Sequence, residues 1–206
     1  MGRLARFIRF YTEENDENGG SILPDGYKRV LGFDFASNCY YVIDDFKLTS
    51  NDTVKFSFSA DKACNVFGCY TTTDATTNYS LYMTTSTNGK YLRYGSGTYA
   101  SYIASSNFGK RYDVVITPTG SQGMPTNDTW EKGSFTCVSD LCIVTTSPGA
   151  TSAKLDGCIY GDFVVAGRLN LIPCERISDG VLGYYDKYSK TFYEPSVGTP
   201  TSLGDA

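Results

Sequence analysis

The 206-residue chain contains no histidine, and this absence removes several kinds of active site. Serine and cysteine nucleophiles of the usual triads need an imidazole as general base, so those hydrolases are excluded. Imidazole is also the commonest metal ligand in proteins. Acid–base chemistry would then depend on carboxylates, yet the chain has only six glutamates, at positions 13, 14, 17, 131, 175 and 194. We therefore expect a protein that is not an enzyme.

Long apolar runs are missing as well. No stretch of about 18 apolar residues occurs, so the sequence predicts no membrane-spanning helix and no membrane insertion. Arginines interrupt the first residues, where a secretory signal would need an apolar core of about 7 to 15 residues. We therefore expect no signal peptide. No longer segment keeps an apolar stripe at helical spacing, which favours strands over helix bundles.

An excess of positive charge is also absent, because the net charge is −4. The body of the protein would not attract a nucleic-acid backbone, so we expect no nucleic-acid partner. The one basic cluster lies in residues 1–22, which we interpret as an arm that attaches the domain to copies of itself or to other proteins. Its predicted contact residues are Arg3, Arg6, Phe7, Ile8, Arg9 and Phe10. The alternatives are a disordered terminus and an arm folded onto its own domain.

Seven cysteines are present, at positions 39, 64, 69, 137, 142, 158 and 174. Without an export signal, the simplest interpretation is that they are reduced thiols acting as small buried apolar groups. The spacing of Cys64 with Cys69, and of Cys137 with Cys142, is one that zinc sites permit. Both pairs, however, resemble strand segments, in which neighbouring thiols diverge. We therefore expect no metal site at these cysteines.

From Leu23 onward the chain is a series of short alternating runs. Strands are expected over residues 53–60, 80–86, 90–97, 111–118 and 158–173. Asn88-Gly89 predicts a two-residue hairpin turn, and Gly161 and Gly167 interrupt the last run. Such alternation predicts an all-β fold made of two packed antiparallel sheets.

The stretch ISDGVLGYYDKYSKTFYEP, residues 177–195, is unusually rich in aromatic rings. A turn at 178–180 leads into one strand, and Phe192 and Tyr193 return as its partner. Alternation sends Tyr184 and Tyr185 to opposite faces. Rings on both faces favour a terminal hairpin that completes a sheet, rather than a ligand platform.

Two sets of motifs lie at the ends of the chain. They are LPDGY at 23–27, YVID at 41–44 and FG at 67–68, then GCIY at 157–160, IPC at 172–174, DGVLGYYD at 179–186 and FY at 192–193. Together they resemble the concanavalin A-like, laminin G-like jelly-roll modules of gut bacteria and their tailed bacteriophages. The resemblance covers about residues 23–200 and does not include the arm. It implies an antiparallel jelly-roll β-sandwich over residues 23–206.

The resemblance also implies a role. We expect a non-enzymatic structural protein of a bacteriophage virion, as a capsid decoration, head fibre or tail appendage, assembled in the cytoplasm of the bacterial host. The module would form a homo-oligomer and display a surface toward host-surface or mucosal glycans. Alternatives are a bacterial carbohydrate-binding or adhesin module and a spacer without a ligand. Glycosidases of this fold use a Glu-x-Asp-x-x-Glu strand that is absent here, so a glycosidase is less favoured.

Laminin G-like modules often hold calcium, and the available ligands here would be Asp44, Asp45 and Asp61. No dense loop of oxygen ligands surrounds them, so no cofactor is expected beyond this possibility.

Residues 70–102 combine tyrosines with Thr, Ser, Asn and Gly, a composition typical of recognition surfaces. The candidate ligand-binding residues are Tyr70, Tyr79, Tyr82, Tyr91 and Tyr94. The alternative is that they are the ordinary tyrosines of packed strands.

Overall fold

The computed structural model describes residues 23–35, 39–74, 76–84, 89–102, 108–124, 127–147 and 154–206. Within these ranges the chain forms strands and turns and no helix. The predicted arm, with Arg3, Arg6, Phe7, Ile8, Arg9 and Phe10, lies outside the described residues. Its role therefore stays a prediction.

The described part contains these strands, in chain order: Tyr27–Arg29 (β1), Gly32–Asp34 (β2), Tyr41–Ile43 (β3), Val54–Ala60 (β4), Cys64–Cys69 (β5), Asn78–Thr84 (β6), Gly89–Gly95 (β7), Gly97–Tyr102 (β8), Tyr112–Thr117 (β9), Gly120–Gln122 (β10), Asp128–Thr129 (β11), Leu141–Ile143 (β12), Gly157–Val165 (β13), Leu169–Arg176 (β14), Val181–Asp186 (β15), Phe192–Tyr193 (β16) and Thr201–Ser202 (β17).

These strands form two packed antiparallel sheets, which confirms the predicted all-β sandwich. The large sheet has 11 strands along the path β11-β10-β9-β4-β13-β14-β15-β16, with β1 beside β14 and β2 between β13 and β17. The small sheet has six, in the order β3-β12-β5-β6-β7-β8. One face of each sheet is buried against the other.

Aromatic rings join the two sheets at the centre of the core. Phe67 of the small sheet lies 5.2 Å from Phe56 and 5.5 Å from Phe163 of the large sheet, between ring centroids and in edge-on arrangements. All three rings are almost fully buried. In β4 the predicted inner residues Phe56 and Phe58 are buried and Lys55 is exposed, but Ser57 and Ser59 on the opposite face are buried too, so the expected half-buried strand is only partly correct. Period-two patterning therefore supplies the inner face of this strand.

The two predicted interruptions in the long run 158–173 are confirmed. Gly161 lies inside β13 with a φ of +62°, where the pairing with β4 shifts register between Tyr160 and Val164. Gly167 has a φ of +73° and lies in the turn between β13 and β14. Left-handed backbone of this kind favours glycine, so both positions are explained by conformation.

The β6–β7 hairpin differs from the prediction in its connection. Thr84 pairs with Gly89, so four residues separate the two strands and Gly89 is a strand residue. The expected two-residue Asn88-Gly89 turn is therefore wrong. In the observed register, Leu81 and Leu92 face each other in the core.

The C-terminal hairpin is confirmed as β15 and β16, with Tyr184 opposite Tyr193 and Tyr185 opposite Phe192. Tyr184 belongs to the main core. Tyr185 lies on the other side of the large sheet, in a second cluster composed of Leu23, Tyr27, Ile172, Cys174, Tyr185 and Phe192. The first described residue of the chain is thus packed on the outer side of the large sheet.

A buried ion pair connects the sheets away from the aromatic centre. Lys90 on β7 pairs with Met83 in the ladder and therefore points inward, and its side chain is fully buried. Its Nζ lies 2.6 Å from Oδ2 of Asp128 on β11, and Ser121 donates a hydrogen bond of 3.1 Å to the same oxygen. Burial lowers the pKa of Lys90, and the Asp128 carboxylate opposes that effect. The ammonium therefore depends on Asp128 for its charge.

We predict that Asp128→Ala lowers the free energy of unfolding by about 3 to 5 kcal/mol, because it leaves a buried ammonium without its carboxylate. The matched control is Asp205→Ala, which removes the partner of the exposed Lys28 and should cost less than about 1 kcal/mol. Urea denaturation of both variants measures the difference. Equal, small effects would contradict the structural role of the buried pair.

Candidate ligand-binding face

The five candidate tyrosines separate onto the two faces of the small sheet. Tyr79 and Tyr94 point inward and are buried, with ring centroids 5.5 Å apart. The hydroxyl of Tyr94 donates a 2.6 Å hydrogen bond to the carbonyl oxygen of Ser50. These two residues pack the core and are not accessible to a ligand. Sequence alternation alone separates them from the other three candidates.

Tyr82 and Tyr91 point away from the core and form a stacked pair. They lie directly opposite each other on β6 and β7, with ring centroids 4.9 Å apart and ring planes 5° from parallel. Both side chains are half-buried. Cross-strand neighbours of this type stand side by side on a sheet, and because both side chains are half-buried, part of each ring is exposed.

Arg93, two residues after Tyr91, shares this face. Its guanidinium carbon lies 4.5 Å from the ring centroid of Tyr70 and 5.9 Å from that of Tyr82. Burial disfavours the charged form of Arg93, but the tyrosine oxygens favour it, and its pKa is raised overall. The third accessible candidate, Tyr70, thus serves to hold a cation in place.

Arg93 differs from the other arginines that the structure describes. The others form salt bridges with carboxylates: Arg29 with Asp162, Arg111 with Asp113, Arg168 with Asp52, and Arg176 with Asp179 and Glu194. Within the described ranges, no carboxylate pairs with Arg93. Its guanidinium is therefore held by rings, without a counterion from that part of the chain.

Two polar atoms beside this cation lack partners. Ser80 lies opposite Arg93 in the β6–β7 ladder. Ser80 Oγ and Arg93 Nε are both buried, and neither has a hydrogen-bond partner among the described residues. A buried unpaired polar group costs about 1 to 3 kcal/mol, so two of them at one place in a sheet require an explanation.

Ladder pairing defines two adjacent rows, which we call the outer face. The first row comprises Tyr91, Tyr82, Asn65 and Lys154. The second comprises Arg93, Ser80, Gly68, Cys142 and Val42. A Cβ on Gly68 would overlap that of Ser80, so glycine is required for the close approach of β5 and β6. Neither row contains Asp or Glu, and each contains one cation.

Lys154 provides the second positive charge of the outer face. It forms a parallel bridge with Asn65, which in turn pairs with Tyr82. Its ammonium lies 4.8 Å from the ring centroid of Tyr40. Within the described ranges no carboxylate pairs with Lys154 either. Arg93 and Lys154 thus place two cations on the outer face of a protein whose net charge is −4.

The structure brings no metal ligands together in the part of the chain that it describes. No group of three or more His, Cys, Asp or Glu side chains there is placed to hold an ion. The calcium candidates Asp44 and Asp45 are exposed in the turn after β3, and Asp61 is exposed at the end of β4. These acidic side chains therefore do not form a site with one another.

The cysteines are free thiols, six of them buried and Cys158 partly exposed. The segment Cys137–Asp140 is a loop and β12 begins only at Leu141, so the prediction of a strand there was wrong. The loop brings Cys137 to Cys69, and the hydrogen bond between the two thiols, together with burial, raises the pKa of Cys137 well above its ordinary value.

We predict that the native protein exposes at most the thiol of Cys158 to a thiol-specific reagent, and that seven thiols react after denaturation without reductant. Burial raises the pKa of Cys39, Cys64 and Cys174 to about 12, so thiolate is scarce even where the reagent could enter. Ellman titration with and without denaturant measures both numbers. A count of five or fewer in the denatured protein would show that a disulfide exists.

Among the described residues, no helix has the length and apolar character needed to cross a membrane. The chain matches no protein-family model and no curated protein. What the outer face binds must therefore be inferred from its own residues.

Proposed function

We propose that this chain is a non-enzymatic recognition module that binds glycans through the outer face of its small sheet. In this proposal the sandwich has jelly-roll topology and is displayed on a bacteriophage virion, as a capsid decoration, head fibre or tail appendage. Residues 1–22 attach it to other virion proteins or to copies of itself. The observation that carries the proposal is the stacked Tyr82–Tyr91 pair on the outer face.

The position of this pair supports a binding role. The inner face of the small sheet already supplies the core with Phe67, Leu81 and Leu92. Tyr82 and Tyr91 add nothing to that core, because they lie on the opposite side of the sheet. Aromatic rings at such positions provide rigid apolar surface with a polar hydroxyl at the tip, which suits the apolar face of a sugar ring.

Polar groups beside the rings complete the chemistry that a sugar requires. Asn65 pairs with Tyr82 across the strands and Ser80 lies two residues before Tyr82 on β6; both are buried beneath the rings, and Ser80 Oγ has no partner among the described residues. Hydroxyl and amide groups near an aromatic ring fix the orientation of sugar hydroxyls by hydrogen bonding. The outer face therefore combines stacking and hydrogen-bonding groups on one rigid sheet.

The two sides of the sandwich favour a separation of attachment from recognition. Leu23 is buried in the second cluster, on the outer side of the large sheet. The segment that precedes Leu23 thus joins the domain on the side opposite the Tyr82–Tyr91 pair. A module anchored on that side would present the outer face of the small sheet away from the particle, which is the arrangement expected of a virion adhesion protein.

We predict that Tyr91→Ala and Tyr82→Ala each weaken glycan binding about tenfold, because each removes a stacking surface worth about 1 to 1.5 kcal/mol. Tyr188→Ala is the control, since its ring is 53% exposed in the turn between β15 and β16 of the large sheet. A glycan array followed by calorimetry on the best ligand provides the measurement. Unchanged affinity in Tyr91→Ala, or recovery of a cleaved glycan, would contradict the proposal.

We predict that deletion of residues 1–22 leaves a folded domain that no longer oligomerises or joins the particle. In the described part of the chain, the core and the second cluster are made entirely of residues from Leu23 onward. Light scattering and copurification with particles measure the two properties. The change Arg3→Gln, Arg6→Gln and Arg9→Gln in one chain tests whether charge contributes, because it should make attachment weaker and less salt-sensitive. Normal assembly of the truncated chain would show that attachment occurs elsewhere.

A further inference from the structure

We infer that the ligand of the outer face is an acidic glycan, whose carboxylate or sulfate groups bind Arg93 and Lys154. This inference rests on the proposed glycan-binding function and specifies the class of sugar. It depends on three features of the outer face: an arginine without a carboxylate partner, unpaired polar atoms beside it, and a second cation in the adjacent row.

The first feature is the state of Arg93. Every other arginine that the structure describes is paired with at least one carboxylate, whereas Arg93 is held against the rings of Tyr70 and Tyr82. Contacts with two rings restrict the guanidinium and keep it charged. A planar, restrained guanidinium binds carboxylate or sulfate oxygens with two parallel hydrogen bonds and loses little entropy in doing so.

The second feature is the unpaired polar pair at the base of this cation. Ser80 Oγ and Arg93 Nε lie on neighbouring strands and lack hydrogen-bond partners in the described part of the chain. Nearly all buried polar atoms in proteins are paired, and exceptions concentrate at functional positions. A small rotation of the Arg93 side chain toward a ligand would expose the Ser80 hydroxyl and Nε to the same acidic group.

The third feature is the position of Lys154. The first row of the outer face runs from Tyr91 through Tyr82 and Asn65 to Lys154. The backbone of Lys154 is therefore two strand positions from that of Tyr82. At about 4.8 Å per position, the Cα atoms of Tyr82 and Lys154 are about 10 Å apart. A sugar stacked on Tyr82 would have a cation on either side, Arg93 in one row and Lys154 in the other.

Charge distribution favours an acidic ligand over a neutral one. The two rows hold two cations and no carboxylate, although the chain as a whole carries a net charge of −4. Asp44 and Asp140 act on the thiol of Cys142 at the far end of the second row, so the positive charge is local to the part of the outer face around Tyr82. A neutral glycan would make no use of the two cations there, whereas an acidic one would gain both affinity and orientation.

The test uses intestinal mucin glycans in three forms: intact, desialylated to remove carboxylates, and chemically desulfated. Wild-type affinity should fall about tenfold or more in one of the two treated forms, because one charge-assisted contact is lost. That form identifies which acidic group is bound. Biolayer interferometry at several salt concentrations measures the affinities, and binding of the acidic form should weaken as salt increases.

Variants assign the effect to the two cations. Arg93→Gln and Lys154→Gln should each remove most of the preference for the acidic form over the neutral form, about tenfold. Lys55→Gln is the matched control, because Lys55 is an exposed cation on the outward side of the large sheet. Lys154 does not take part in the contact of Arg93 with Tyr70 and Tyr82. If Arg93→Gln fails to fold, Lys154→Gln therefore still tests whether a cation of the outer face is responsible for the preference for the acidic glycan.

The possible results distinguish the inference of an acidic ligand from the proposed glycan-binding function. Equal wild-type affinity for all three forms, with a continued loss in Tyr91→Ala, would overturn the acidic ligand and leave the glycan-binding function intact. Absence of binding to every form would overturn both. Tighter Arg93-dependent binding of a single-stranded oligonucleotide would also overturn the inference, since tyrosine stacking beside cations suits nucleic acid as well.

Discussion

The register between β6 and β7 decides which aromatic side chains build the core and which reach the surface. Leu81 faces Leu92 inside the sandwich, and as a direct consequence Tyr82 faces Tyr91 outside it. A slip of one residue would exchange the two sets, because successive side chains of a strand alternate between faces. The apolar pairs in the core therefore also assemble the outer face, and in the proposed function recognition depends on the same ladder as stability.

The two sheets have different tasks outside the shared core. The large sheet covers its outward side with the second cluster, which includes Leu23 at the beginning of the described chain. The small sheet leaves its outward side to Tyr82, Tyr91 and the two cations. The buried pair of Lys90 and Asp128 connects β7, which carries part of the outer face, to β11 of the large sheet. A shift of β7 relative to β11 would separate the buried Lys90 ammonium from the Asp128 carboxylate. We therefore interpret this ion pair as an interaction that fixes the position of β7.

Alternation made much of this architecture predictable. The inner face of β4, the interruptions in the long run before Leu169 and the terminal hairpin all follow from local pattern. The same rule applied to β6 separates Tyr79 from Tyr82, because residues three apart point to opposite faces. Lys154 and Asn65 could not be assigned to the site, since their proximity to Tyr82 arises from pairing between distant segments. The Asn88-Gly89 signal did not predict the connection, because Gly89 is a strand residue that pairs with Thr84.

The arrangement around Arg93 carries a cost that the fold does not explain. Elsewhere the described chain pairs its arginines with carboxylates, and a short acidic side chain in the second row of the outer face would do the same here. Instead the neighbouring positions hold Ser80 and Gly68, and two buried polar atoms stay unpaired. Local departures of this kind from consistent packing occur where a protein binds something. An anionic ligand would supply both the missing charge and the missing hydrogen bonds, so binding and local stability would increase together.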